Sequence, residues 1–233
     1  MNSIIETREL TLKYLGPIVK KHGFNVKLSA GKQAKIERKT PGGTDILAFD
    51  MLNYNPSFRI RYAFCKINTH VNNILLNFQE KIRLPLQDDK RSWFIFFSYN
   101  TLHKPNETAY LPYMETEEDV QKCVSIMSSF IEDTGLPLLA RFEDLREVDK
   151  IINGEERWDT DWLKPYVLGG NFYLKRFIIS RLAGLGSYDR VLSFISDFYT
   201  SHFDDQQYGN NYKARMAEVK ELDKMLKNIK PLY

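Results

Sequence analysis

Phe58-Arg59-Ile60-Arg61-Tyr62-Ala63-Phe64-Cys65 is the stretch on which the reading of this chain turns. Large apolar side chains occupy 58, 60, 62 and 64, and charged or small ones fall between them. Successive side chains point to opposite faces of a strand, so this period of two predicts a strand with one buried face and one partly wet face. Phe58, Ile60, Tyr62 and Phe64 should face a core, against Val120, Val124, Met127 and Ile131.

Working outward, the pattern stays extended. Phe24, Val26 and Leu28 alternate with polar residues, as do Ala34, Ile36 and Arg38 with Lys35, Glu37 and Lys39. Pro41-Gly42-Gly43 is a turn signal, and Ile46 to Leu52 reads as the return strand of a hairpin. Trp93 to Tyr99 is apolar on both faces and is expected at the centre of the sheet. Residues 71–84 fit a helix through Val71, Ile74, Leu75, Phe78 and Ile82, or a continuation of the sheet. Ahead of the strands, residues 4–22 read as a helix with Ile5, Leu12, Leu15 and Val19 on one face and Gly23 as its cap. Gly16-Pro17 either kinks it or lets Pro17 open a second short helix.

From residue 116 the chemistry turns helical. Thr116 is an N-cap residue, and Glu117, Glu118 and Asp119 complement the helix dipole. Val120, Cys123, Val124, Met127, Phe130 and Ile131 form its apolar stripe. Gly135 is expected to cap it and Pro137 to stop it. A short helix is predicted over 143–152, a loop over 155–168, two helices meeting across Gly184-Leu185-Gly186-Ser187, and a final helix over about 212–229. Strands followed by helices is the α+β pattern. The expectation is one domain over 1–233: an antiparallel sheet of about five strands in the N-terminal half (1–110 with its helix), covered by helices from the C-terminal half (111–233).

The chain has 233 residues, 43% hydrophobic and 27% charged, the composition of an ordinary folded protein. Its net charge of +3 does not point to nucleic acid. Residues 1–40 carry nine Lys/Arg against three Asp/Glu, a net +6, whereas 115–161 carry five against fourteen, a net −9. If both segments cluster in space, the molecule is a dipole. Cys65 and Cys123 make neither a disulfide framework nor a metal quartet. The N-terminus lacks the apolar core of a signal peptide, and no apolar run approaches the ~20 residues of a membrane span. The expectation is a cytoplasmic protein with no membrane contact.

Nucleophile-elbow, phosphate-loop, dinucleotide and zinc-helix spacings are missing. His22, His70, His103 and His202 share no metal-ligand spacing. Asp159-Thr160-Asp161 fails the calcium-loop pattern because position 163 is leucine. Asp45, Asp50, Glu80 and Lys81 would need a metal to act as a nuclease centre. Lys32, Lys35, Arg38, Lys39, Arg59 and Arg61 read as solvated sheet residues. No catalytic, cofactor or metal residue is therefore assigned. The loop Gly154–Gly170 is the candidate contact, with Trp158, Trp162 and Tyr166 at intervals of four and Glu155, Glu156, Asp159 and Asp161 between them. Trp and Tyr are enriched at binding hot spots. The same spacing would equally let the three rings cover the core.

Two stretches carry a family likeness: the opening helix with Lys21-His22-Gly23-Phe24 and alternating strands, and Thr134-Gly135-Leu136-Pro137-Leu138-Leu139-Ala140-Arg141-Phe142 with the Gly184–Tyr188 hairpin. Together they resemble a group of bacterial proteins catalogued as domain of unknown function 4304. The resemblance implies an α+β fold and brings no activity with it. The expected function is a non-enzymatic protein-binding module. One concrete version is an immunity-type protein that blocks a basic toxin with the acidic 115–161 region. The alternative is an enzyme of an unrecognised family with a pocket between sheet and helices.

Overall fold

The alternation at 58–64 forms the strand it predicts, and the sheet is built around it. The structure, a computed structural model, describes residues 3–28, 34–82, 95–98, 111–154 and 171–233. Strands β1 (Asn25–Leu28), β2 (Ala34–Thr40), β3 (Gly43–Asn53) and β4 (Phe58–Asn68) make an antiparallel meander in that spatial order. The body of the sheet is thus four strands, where about five were expected. A four-residue segment, β5 (Ile95–Ser98), adds along β4. The Trp93–Tyr99 run was expected at the sheet centre; its described residues instead lie at the end of the strand order. Ile95 and Phe97 are buried, and Phe97 stacks on Phe64 at 5.3 Å between ring centroids. Side-chain packing therefore accounts for their apolar character.

The helices, in chain order, are α1 (Ile4–Lys21), α2 (Thr69–Lys81), α3 (Glu117–Phe130), α4 (Leu136–Arg141), α5 (Leu145–Asn153), α6 (Phe172–Ala183), α7 (Tyr188–Thr200) and α8 (Gly209–Leu226). The ambiguous 71–84 segment is helical over Thr69–Lys81, with Val71, Leu75 and Phe78 buried on one stripe. The described residues fall into two compact units. The first holds 3–28, 34–68, 95–98 and 111–141, and the second holds 69–82, 142–154 and 171–233. The chain therefore does not divide at one point near residue 110. It enters the second unit at α2 and returns to the first at β5.

In the first unit Thr40 pairs with Gly43, leaving Pro41-Gly42 as a two-residue turn. A Cβ at Gly43 would lie 1.8 Å from the Ile67 carbonyl oxygen, so only glycine lets β3 and β4 pair here. Phe58, Ile60, Tyr62 and Phe64 are buried as expected. Arg59 and Arg61 are the wetter face, but Ala63, Cys65 and Ile67 beyond them are buried too. Ile46, Cys65 and Ile67 form an apolar cluster there. The strand is one-faced over its first half and two-faced over its second.

Within the first unit, α1 and the 117–135 segment pack with this sheet. Helix α1 contacts β1, β3 and α3, and Phe130 meets Tyr62 edge-on at 5.6 Å and Phe64 at 5.9 Å. Helix α1 runs unbroken through Pro17 and buries Thr7, Thr11, Leu15 and Val19. Its buried face is rotated from the expected one, and Ile5 is exposed. The threonines tolerate burial because their hydroxyls donate to the carbonyls of Ser3 and Thr7 four residues back. At α3 the cap is reciprocal: Thr116 Oγ1 accepts from the Asp119 N–H, and Asp119 Oδ2 accepts from the Thr116 N–H. Neither Gly135 nor Pro137 ends this helix. It widens into a π turn over Ile131–Gly135 and continues as α4, which contains Pro137.

The second unit packs α5 on α6, α6 on α7 and α2, and α7 on α8. Arg176 of α6 is fully buried and ties three elements together. Its Nε donates to Asn153 Oδ1 and its Nη2 to the Ile152 carbonyl. Asn153 donates to Asp149, and Ser187 donates to the other Asp149 oxygen. This buried network fixes the rotation of α6 relative to α5 and α7.

Candidate functional site

Glu155, Glu156, Trp158, Asp159, Asp161, Trp162 and Tyr166 lie outside the described residues, as do His103 and Lys32. The other sequence candidates are dispersed. Asp45 and Asp50 sit on opposite faces of β3, five residues apart, and each is paired. Asp45 accepts from Arg38 at 2.8 Å and from Lys66 at 2.7 Å, and Asp50 from Arg61 at 3.1 Å. Glu80 and Lys81 belong to the second unit. Arg59 donates to the Leu111 carbonyl and lies over the Tyr113 ring. Among the described residues no three His, Cys, Asp or Glu side chains gather where they could hold a metal ion. No described helix is long and apolar enough to cross a membrane.

The opposed charges of the two sequence segments partly meet within the first unit. Lys13 pairs with Glu117 at 3.5 Å, Tyr14 hydrogen-bonds Glu117, and His22 Nε2 lies 3.1 Å from Glu132. Helices α1 and α3 therefore lie side by side in the same direction, with the basic helix facing part of the acidic one. The dipole expected from the sequence is reduced to that extent, and exposed pairs of this kind add little to stability.

In the second unit, ring-bearing side chains from several elements surround an open volume. A pocket of about 410 Å³ is lined by Asn171, Phe172, Tyr173 and Leu174 from the start of α6, Phe198 and Tyr199 from the end of α7, Tyr208 before α8, and Asn211, Tyr212, Arg215 and Glu218 from α8. The buried Arg176 network sits one turn along from Tyr173 and holds that end of α6 in place. Asn171 precedes the helix in a left-handed conformation (φ 60°, ψ 34°) and gives no side-chain cap. Asp205 Oδ1 accepts from the Gln207 and Tyr208 N–H groups, making the turn that launches α8. The spacing 211, 212, 215, 218 then places four α8 side chains on one helical face.

The rings touch one another. Tyr173 stacks on Phe198 at 5.3 Å and meets Tyr199 edge-on at 5.4 Å, while Phe198 and Tyr212 are near perpendicular at 6.2 Å. His202 lies 4.9 Å from both Phe198 and Tyr212. Its Nδ1 is 2.7 Å from the Phe198 carbonyl, which can only accept, so the ring proton is on Nδ1. Arg215 and Glu218 form an ion pair at 2.8 Å, and the Glu218 side chain is 14% exposed. Burial raises the Tyr199 hydroxyl above the ordinary tyrosine range, with Tyr173 and Glu218 adding to it and Arg215 opposing. Tyr173, Arg215 and Glu218 line the pocket together with Tyr199. Tyr199 is 6% exposed, and its hydroxyl makes no hydrogen bond among the described residues.

No family model, no curated protein and no solved structure matches the chain. The likeness to the domain of unknown function 4304 group rests on the residues quoted for it alone. The aromatic pocket was missed in the sequence. His202 reads there only as a histidine without metal-ligand spacing. A signal existed in the density of rings: Phe172, Tyr173, Phe198, Tyr199, His202, Tyr208 and Tyr212 flank the two helix junctions.

Proposed function

We propose that this chain is a binding module rather than a catalyst, and that the aromatic pocket of the second unit is its recognition site. The observation that carries this is the lining: five rings from three elements in mutual contact, with a single carboxylate already paired to Arg215. Pockets of a few hundred Å³ with mostly apolar walls and a few placed polar groups suit ligand capture. A general acid and base with separated proton affinities would instead support the enzyme reading. A fragment screen by ligand-observed NMR tests the proposal, run on the wild type and on Tyr212→Ala. Ring-bearing fragments should bind the wild type and lose binding in the variant. A screen in which no fragment binds, or in which the variant binds the same set equally, overturns it.

A protein partner met by the acidic residues of the 115–133 segment, as in an immunity-type module, is the second reading. Glu118 and Asp133 support it, since both are exposed and neither carries an ion pair among the described residues. The pairing of Glu117 and Glu132 with α1 leaves less acid for a cationic partner than the sequence count suggests.

A further inference from the structure

The geometry points to an uncharged planar heteroaromatic ring with a polar edge, a nucleoside, as the ligand of the aromatic pocket. This inference rests on the pocket being the recognition site. Three observations converge on it. First, the walls offer ring faces near parallel and near perpendicular to one another, Tyr173 with Phe198 and Phe198 with Tyr212. A flat ring can stack on one and set its edge against another, and bases stack on aromatic side chains whatever their sequence. Second, the wall charge is balanced. Glu218 is held by Arg215 at 2.8 Å, so a cation must compete with Arg215 for it, and an anion must approach beside a carboxylate. The balance favours a neutral ligand. Third, the Tyr199 hydroxyl lies in a 94%-buried residue, counted from its 6% exposure, with no hydrogen bond among the described residues. That hydroxyl is therefore open to a ligand that offers it a hydrogen-bond partner. The Asn211 amide on the same wall adds a second polar contact. An indole offers one N–H and would leave most of these groups unmet, whereas a nucleobase edge presents several donors and acceptors side by side. Sites built to hydrogen-bond a ligand discriminate strongly against analogues lacking those groups.

Calorimetric titration of the full chain tests this with adenosine, guanosine, cytidine and uridine as probes. The controls are adenosine monophosphate as an anion, choline as a cation and N-acetyltryptophanamide as a stand-in for a partner's side chain. At least one nucleoside should bind, roughly tenfold or more tighter than each of the three controls, a gap of about 1.4 kcal/mol. Tyr199→Phe removes the hydroxyl and keeps the ring, and should weaken that nucleoside by about threefold to tenfold, the worth of one hydrogen bond. Its melting temperature should match the wild type, which separates lost recognition from lost folding. If ring fragments bind the pocket but every nucleoside fails, or if choline or the tryptophan amide binds tighter, the ligand class is wrong while the recognition site stands. If Tyr199→Phe binds the nucleoside as tightly as the wild type, the hydroxyl does not read the ligand and the inference fails. If nothing binds at all, the site itself falls with it.

Discussion

Gly135→Ala should destabilise the first unit, although alanine is the better helix former. Gly135 lies in the π turn after α3, against the ring of Phe64. A Cβ there would sit 2.5, 2.7 and 2.9 Å from Phe64 Cζ, Cε2 and Cε1. Carbon contacts normally settle at about 3.5–4.0 Å, so the ring would have to retreat by roughly 1 Å. It has little room to do so. Phe64 is fully buried, with Phe97 nearly parallel at 5.3 Å and Phe130 at 5.9 Å. Overpacking of this kind costs about 1–3 kcal/mol, and the helix propensity of alanine returns at most about 1 kcal/mol. The expected net loss is about 1–2 kcal/mol. Urea unfolding of the single and double variants with Phe64→Leu checks the cause as well as the size. In the Phe64→Leu background the rim of the ring is gone, and Gly135→Ala should then cost nothing or stabilise, a coupling of about 1 kcal/mol or more. A Gly135→Ala protein as stable as the wild type, or a penalty unchanged by Phe64→Leu, refutes the packing argument.

Two other perturbations read different terms. Asp45→Asn leaves the Lys66 ammonium, 0% exposed at its side chain, without its carboxylate, and should cost about 3–5 kcal/mol. Replacing both residues, Asp45→Leu with Lys66→Met, should recover most of that loss, because Arg38 is partly exposed and can reach water; a chemical-denaturation series in which the double variant is no better than the single one contradicts this. Burial pushes Lys175 from 10.5 down to about 7. Between those values the unfolded chain holds a proton that the folded chain has released, so stability should rise with pH from about 7 toward 10.5 and be flat in this contribution below about 7. Lys175→Met should remove the rise and be the more stable protein at neutral pH; urea midpoints measured from pH 7 to 9.5 that climb equally in both proteins would count against it.

The sequence by itself determined the elements whose signals are local. The alternation at 58–64, the Pro41-Gly42 turn and the Thr116 cap each depend on a few neighbouring residues, and each stands in the structure. Partnership between distant segments was decided only in the tertiary structure. The apolar character of Ile95 and Phe97 told that they are buried but not by what, so the edge position of β5 was illegible. Gly135 carries the mark of a helix end, yet its role is to make room for Phe64, 71 residues earlier in the chain. Lys66 falls in phase with Phe64 on the core side, which no periodicity argument would choose; Asp45 across the β3–β4 register makes it tolerable. The pocket follows the same rule. Its rings are spread over residues 172–212, and each alone is an ordinary core or surface aromatic. Only the packing of α6, α7 and α8 brings their faces around one volume and leaves the Tyr199 hydroxyl there, because burial and hydrogen-bond satisfaction are properties of the assembled neighbours and not of any one segment.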